Sequence, residues 1–256
     1  MSETGWRRYS LSPETAAWAD HAADIASRVL ADPANAHWYR GDRTWFAGVD
    51  CLPNDETGRL SGGPALSGGF LDDIPQAPLH PAQVSAVFPG YPKPMEGESA
   101  AASRFRRTRD GAHVDGLLPI GPDRRRMIRE PHAYILGLPL SINGEGESPL
   151  VVWEGSHALM RAAFELVLAP YDVEDWPDVD LTDVYQATRR QAFETCRRVT
   201  VPGVPGEAVL LDPLMLHGIA PWAAGSEGPR IVSYFRPETD HLTWLRRPLF
   251  EGGGRV

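Results

Sequence analysis

The chain reads as mainly β with peripheral helices, an α+β arrangement whose core is a β-sandwich or jelly-roll barrel. Three observations predict this. Short apolar stretches separated by turn signals crowd the C-terminal third: Val199 to Val201, Ala208 to Asp212, Met215 to Ile219 and Arg230 to Phe235. Two further apolar strands, Tyr134 to Leu140 and Leu150 to Trp153, come before them. A helical insert, about 158–197, divides the two groups, and there is no repeat, Walker loop or GxGxxG motif.

The size suits one domain. Barrels and sandwiches of 256 residues are commonly single units, here with segment 1–100 packing on a core of about 101–240. Hydrophobic residues make up 42% and charged residues 23%, an ordinary globular balance able to bury a core. The net charge of −9 removes the basic footprint of a nucleic-acid binder. No apolar run reaches the length of a membrane span, and the N-terminus has no signal-peptide core. Cys51 and Cys196 stand far apart in no CxxC pattern, so reduced thiols and a cytoplasmic location are expected.

Taken in order, residues 13–31 form the first helix. Ser12 caps it, Pro13 takes the first helical position, and Trp18, His21, Ala22, Ile25 and Val29 mark its packed face. From 40 to 98, Gly62-Gly63-Pro64, Ser67-Gly68-Gly69 and Tyr91-Pro92-Lys93-Pro94 punctuate short apolar pieces such as Val84 to Phe88. Short strands and pocket-shaping loops are expected there. Arg104, Arg106, Arg107 and Arg109 read as a solvated strand or loop face, with a steering patch for an anionic ligand as the alternative; Arg124 to Arg126 raise the same choice. Ser141 to Glu147, containing Asn143-Gly144, signals a hairpin turn. Helices follow at 158–168 and about 182–197, joined by residues 170–181, whose five acidic residues and two prolines predict an exposed loop.

The chemistry centres on His113-Val114-Asp115. Residues two apart on a strand project from one face, so His113 and Asp115 point the same way. A second strand histidine, His217, would complete a set of two histidines and one carboxylate, which leaves open positions on Fe(II) and marks non-haem iron oxygenases. Each piece also has an ordinary counterpart: a hydrogen-bonded turn pair between Gly111 and Gly116, and a half-buried structural histidine. Arg230 opens the next strand, past a turn at Ala223 to Gly228, where its guanidinium could take a dicarboxylate end-on. Arg236 shares that strand face and is the next candidate.

Gly155-Ser156-His157 after an apolar strand, then Pro205 to Asp212 running into Leu216-His217-Gly218 and Pro221, resemble the phytanoyl-CoA dioxygenase-like Fe(II)/2-oxoglutarate oxygenases over roughly residues 105–238. The resemblance implies a double-stranded β-helix, the jelly-roll, cupin-like barrel. It also implies Fe(II) held by His113, Asp115 and His217, and 2-oxoglutarate bound through Arg230. The chain departs from the family at Glu154, where a proline usually precedes the GSH segment, and at Ile219, where a small polar residue is common. Tyr134, opening the strand after the HxD turn, is the candidate for further help with the cosubstrate, a core tyrosine being the alternative. Trp153, Trp222 and Tyr234 are read as core or pocket wall. His157 is expected to make structural hydrogen bonds beside the barrel mouth, and Asp212 to orient a ligand's free ring nitrogen.

Three functions compete at this stage. The first is an enzyme that uses O2 and 2-oxoglutarate to hydroxylate a small organic molecule. The second is a cupin-like metalloenzyme using the triad without 2-oxoglutarate, Arg230 being a surface residue. The third is a metal-free binding jelly roll. Relatives of this fold that halogenate carry a small residue at the carboxylate position; Asp115 fills it here, so hydroxylation is the expected outcome.

Overall fold

The computed structural model describes residues 4–223, 228–247 and 249–250. Strand β1 (Trp6–Tyr9) and helix α1 (Pro13–Ala31) open the chain, followed by β2 (Tyr39–Arg40), β3 (Trp45–Leu52) and β4 (Ala82–Val87). Helix α2 (Ala100–Thr108) leads into a hairpin of β5 (Leu117–Ile120) and β6 (Arg125–Ile128). Strands β7 (Ile135–Pro139) and β8 (Leu150–Glu154) precede helices α3 (Ser156–Leu168) and α4 (Thr182–Thr195). The chain then runs through β9 (Arg197–Val201), β10 (Ala208–Leu211), β11 (His217–Ile219), β12 (Arg230–Phe235) and α5 (His241–Arg246).

Two antiparallel sheets form the core, in strand orders β1-β10-β7-β12-β4-β3-β2 and β11-β8-β9. Side-chain alternation decides what each strand face meets. Inward, Ile135, Leu150, Val152, Val209, Leu211 and Met215 pack between the sheets. Outward from the large sheet, Val84, Ala86, Leu136, Leu210, Ile231 and Phe235 meet Trp18, Ala22 and Ile25 of α1. Outward from the small sheet, Val151 and Trp153 meet Phe164, Tyr185 and Trp244 of the helices. A one-residue slip of β8 would exchange Leu150 and Val152 for Val151 and Trp153, driving a tryptophan between the sheets. Each large apolar side chain kept on its proper side contributes about 1.5–3 kcal/mol, which fixes the register.

Helix α1 has the predicted ends: Ser12 Oγ accepts from Thr15 N–H at 3.2 Å and Pro13 begins the helix. Three expectations change. The arginine cluster lies on a helix, not a strand or loop, because Ser99 caps a run of three alanines that favours helix and carries the arginines with it. The Asn143-Gly144 turn joins no hairpin, since β7 pairs with β10 and β12 while β8 pairs with β11 and β9. Asn143 instead bridges to Gly203, so the loop carries the chain from one sheet to the other. The acidic segment contains a 3-10 turn, Val173–Asp178, whose Trp176 is buried, and Arg125–Asp180 and Arg129–Asp178 pairs tie it to the β5–β6 hairpin. Of the turn expected at Ala223 to Gly228, residues 224–227 lie outside the described residues. No helix among the described residues is long and apolar enough to cross a membrane.

Candidate metal centre

The site is built by one backbone pairing. His113 and His217 face each other as an antiparallel bridge, with His113 N–H donating to the His217 carbonyl at 2.8 Å and the reverse bond at 3.0 Å. Opposed residues of such a pair project to the same side, so the two imidazoles meet at a centroid separation of 4.6 Å. The close approach requires Gly218. A Cβ there would lie 2.3 Å from the Asp110 carbonyl oxygen, which accepts from Ile219 N–H. Asp110 is held in turn by a bidentate pair with Arg198, both bonds 2.8 Å.

The HxD spacing predicts a strand, but residues 113–115 form none: His113 makes only the isolated bridge, and the turn that follows carries Asp115. Asp115 Oδ1 lies 3.2 Å from His113 Nε2 and 3.8 Å from His217 Nε2, and one donor atom from each of the three residues lies within 4.8 Å of the others. Two donors on neighbouring corners of an octahedron with ~2.1 Å bonds are separated by about 3 Å, so the set fits one transition-metal ion after small shifts. The ring orientations fit as well. His113 Nδ1–H donates to the Gly111 carbonyl and His217 Nδ1–H to the Met215 carbonyl, each at 3.0 Å, which turns both Nε2 lone pairs towards the shared centre. Burial and the neighbouring His113 push the His217 pKa down to about 4, keeping that ring neutral and able to ligate. Burial alone would raise the Asp115 carboxyl, but His113, His217 and Arg236 outweigh it and hold it well below the usual carboxylate range. Arg236 Nη1 donates to Asp115 Oδ2 at 3.1 Å, leaving Oδ1 for the centre, and its Nη2 is tied to Gln83 Oε1.

Arg230 is buried at 2% exposure, which removes its reading as a surface residue. Its Nη2 donates to the Tyr234 hydroxyl at 3.0 Å, while Nε and Nη1 have no partner among the described residues. Strand alternation places Arg230, Val232 and Tyr234 on the inward face, where they line a cavity with Asn143 and Leu150. Leu150 and Tyr234 also line the cavity around His113, Asp115 and His217, so the two spaces adjoin. A buried guanidinium with two unused donors is an anion site in waiting.

Other expectations resolve differently. Tyr134 is not at the site: neighbouring Ile135 faces inward, so Tyr134 turns outward into the α1 core, where burial pushes its hydroxyl pKa up to about 12. Asp212 orients no histidine; it binds Arg161 through both oxygens (3.0 and 2.9 Å), and the His217 ring is held by a backbone carbonyl. His157 stands against Gly5 of the N-terminal segment, and its Nδ1 has no partner among the described residues. Glu154, at the departure from the family pattern, accepts from Trp6 Nε1 (3.1 Å) and Arg197 Nε (2.8 Å). Ile219 lines the cavity wall, as does Tyr234, whereas Trp153 lies in the outer core. Gln83 and Arg198 were not singled out from sequence, and Gly218 only as part of the distal-histidine motif. Their signals depend on partners 88 to 153 residues away, and only Arg236 was marked by the period-two face of β12.

No family model matches this chain, and no curated protein does. Solved structures do. The non-heme α-ketoglutarate-dependent epimerase SnoN from nogalamycin biosynthesis is 15% identical, with a TM-score of 0.50 over 99% of this chain and 86% of its own. The carbocyclase SnoK from the same pathway is 14% identical, with a TM-score of 0.49 over 92% and 80%. EctD from S. alaskensis, with bound Fe, is 17% identical, with a TM-score of 0.49 over 91% and 72%. The protein has a jelly-roll fold, mainly β with several helices. At 15% identity the likeness to SnoN bears on the fold alone.

Proposed function

We propose that the protein is a non-haem Fe(II)/2-oxoglutarate-dependent dioxygenase that hydroxylates a small organic molecule, with release of succinate and CO2. One observation carries the reading. Two histidines and one carboxylate converge on a common centre, and the adjoining cavity holds a buried arginine with two unused donors. The order of the HxD, GSH and distal-histidine motifs supports a place among the phytanoyl-CoA dioxygenase-like oxygenases, and the cysteine pattern supports a cytoplasmic location.

Fe(II) bound there with 2-oxoglutarate and O2 would supply the oxidising power to break a C–H bond as the keto acid loses CO2. The chain's own residues do the holding. His113, Asp115 and His217 would be the ligands, and Gly111 and Met215 carbonyls fix the ring orientations. Arg236 keeps one Asp115 oxygen occupied, so that Asp115 binds through the other. Arg230, steadied by the Tyr234 hydroxyl, would receive the distal carboxylate of 2-oxoglutarate. Leu150, Ile135 and Ile219 give the space between an apolar wall. The test is succinate formation from 2-oxoglutarate by the iron-reconstituted protein against a panel of small molecules. Iron-dependent, substrate-stimulated succinate supports the reading; 2-oxoglutarate left untouched throughout the panel opposes it.

A further inference from the structure

Helix α4 is docked on β6 by backbone contacts. Arg126 N–H donates to Thr182 Oγ1 and Leu181 N–H to the Arg126 carbonyl, both at 2.8 Å. Tyr185 and Arg189, one helical turn apart, therefore stand beside Arg126. The Arg189 guanidinium lies over the Phe105 and Tyr185 rings, 4.6 and 5.1 Å from their centroids. The rings hold it in place without neutralising it, and its buried Nε has no partner among the described residues. Arg126 is half-buried and, among the described residues, its guanidinium spends only Nη1, on the Leu117 carbonyl at 3.1 Å. Burial, with Arg124 and Arg189 nearby, lowers its pKa.

Neither arginine has an acidic partner among the described residues. The nearby carboxylates are spoken for: Glu98 by Arg106, Asp110 by Arg198, Asp178 by Arg129 and Asp180 by Arg125. Glu96 and Glu130 are exposed at the rim. A chain of net charge −9 thus keeps half-buried like charges together and uncompensated. Such an arrangement costs free energy unless an anion joins it. It also faces the candidate centre. Arg126, Tyr185 and His113 line a cavity of about 410 Å³ that also reaches Asp115, and Arg189 joins them on a wider one of about 1290 Å³.

We infer that the substrate carries an anionic group, a carboxylate or phosphate, held by Arg126 and Arg189 with the rest of the molecule extending towards His113. Calling the ligand a substrate rests on the dioxygenase reading; the anion site rests on the arginines. Anchoring one end at the α4–β6 wall fixes which C–H bond faces the centre. Phe105 and Tyr185 offer an apolar flank to the atoms next to the charge.

The experiment is anaerobic calorimetry on the iron-loaded protein saturated with 2-oxoglutarate, so that Arg230 is already engaged. The probes are phenyl phosphate and benzoate, with benzamide as the neutral counterpart. The wild-type protein should bind at least one anion and discriminate against benzamide; whichever anion binds identifies the group. Arg126→Met and Arg189→Met should each weaken that anion by about tenfold or more and leave 2-oxoglutarate affinity unchanged. Arg189→Met breaks no hydrogen bond, so it carries the test if Arg126→Met disturbs the hairpin. Equal binding of benzamide, equal affinity in both variants, or no anion binding by wild type overturns the inference. A protein that ignores 2-oxoglutarate yet binds an anion through these arginines would remove the dioxygenase reading and leave the anion site standing.

Discussion

Replacing Arg230 by methionine is the sharpest perturbation of the cosubstrate site. The side chain is 2% exposed, one donor is fixed on the Tyr234 hydroxyl, and Nε and Nη1 have no partner among the described residues. A carboxylate arriving there gains two charge-assisted hydrogen bonds, each worth about 1.5–3 kcal/mol. Little further ordering is needed, because Tyr234 and the strand already fix the guanidinium. Deleting a buried partner of this kind costs about 2–5 kcal/mol, or roughly 30-fold to several thousand-fold in affinity. Arg230→Met should therefore raise the 2-oxoglutarate dissociation constant by about a hundredfold or more. Iron affinity should stay nearly unchanged, and Arg230→Lys, which keeps the charge but loses the fork, should fall between. In the absence of cosubstrate the methionine variant should melt no lower than wild type, since it removes an unneutralised buried charge. Anaerobic calorimetry with Fe(II)-loaded protein reads the affinities and thermal melting reads the stability. An unchanged dissociation constant would refute the assignment. Arg236 would not inherit the role, because Asp115 and Gln83 already occupy its guanidinium.

Other outcomes follow from the same geometry. His113→Ala and His217→Ala should each abolish stoichiometric Fe(II) binding, a larger loss than the roughly 10–100-fold typical of groups that only orient a ligand; metal analysis after dialysis decides, and full retention would end the triad assignment. Gly218→Ala should force the Asp110 to His113 turn away from β11, since the added Cβ meets a backbone oxygen at 2.3 Å. We expect a stability loss of about 1–3 kcal/mol together with weakened iron binding, and a variant with wild-type melting and iron content would show that the approach is looser than described. With Asp115 in place, product formed under labelled O2 in chloride buffer should contain labelled oxygen by mass spectrometry. A chlorinated main product would contradict the expectation.

The common face of Arg230, Tyr234 and Arg236 was legible because strand alternation is a local rule. His113 and Asp115 were paired by the same rule, yet no strand spans them: His113 makes an isolated bridge to His217 and Asp115 sits in the turn before β5. The same rule, applied to residue 135, would have turned Tyr134 away from the site. Strand β12 and helix α1 were readable to their ends because turn and cap residues mark them. The Asn143-Gly144 loop misled because a turn signal records local backbone preference and is silent on which sheet receives the next strand. The α2 helix was hidden because its arginines drew attention from the alanines that form it. Long-range pairs such as Arg198 with Asp110 leave no mark in either local sequence.

The central claim is that Fe(II) and 2-oxoglutarate share one site, chelated at His113, Asp115 and His217 and anchored at Arg230. Titration of 2-oxoglutarate into the protein before and after anaerobic Fe(II) loading tests this most directly. The account predicts one 2-oxoglutarate per chain, bound far more tightly once iron is present, with the iron-dependent gain lost in Asp115→Ala. Equal affinity with and without iron, or an undiminished gain in Asp115→Ala, would contradict it.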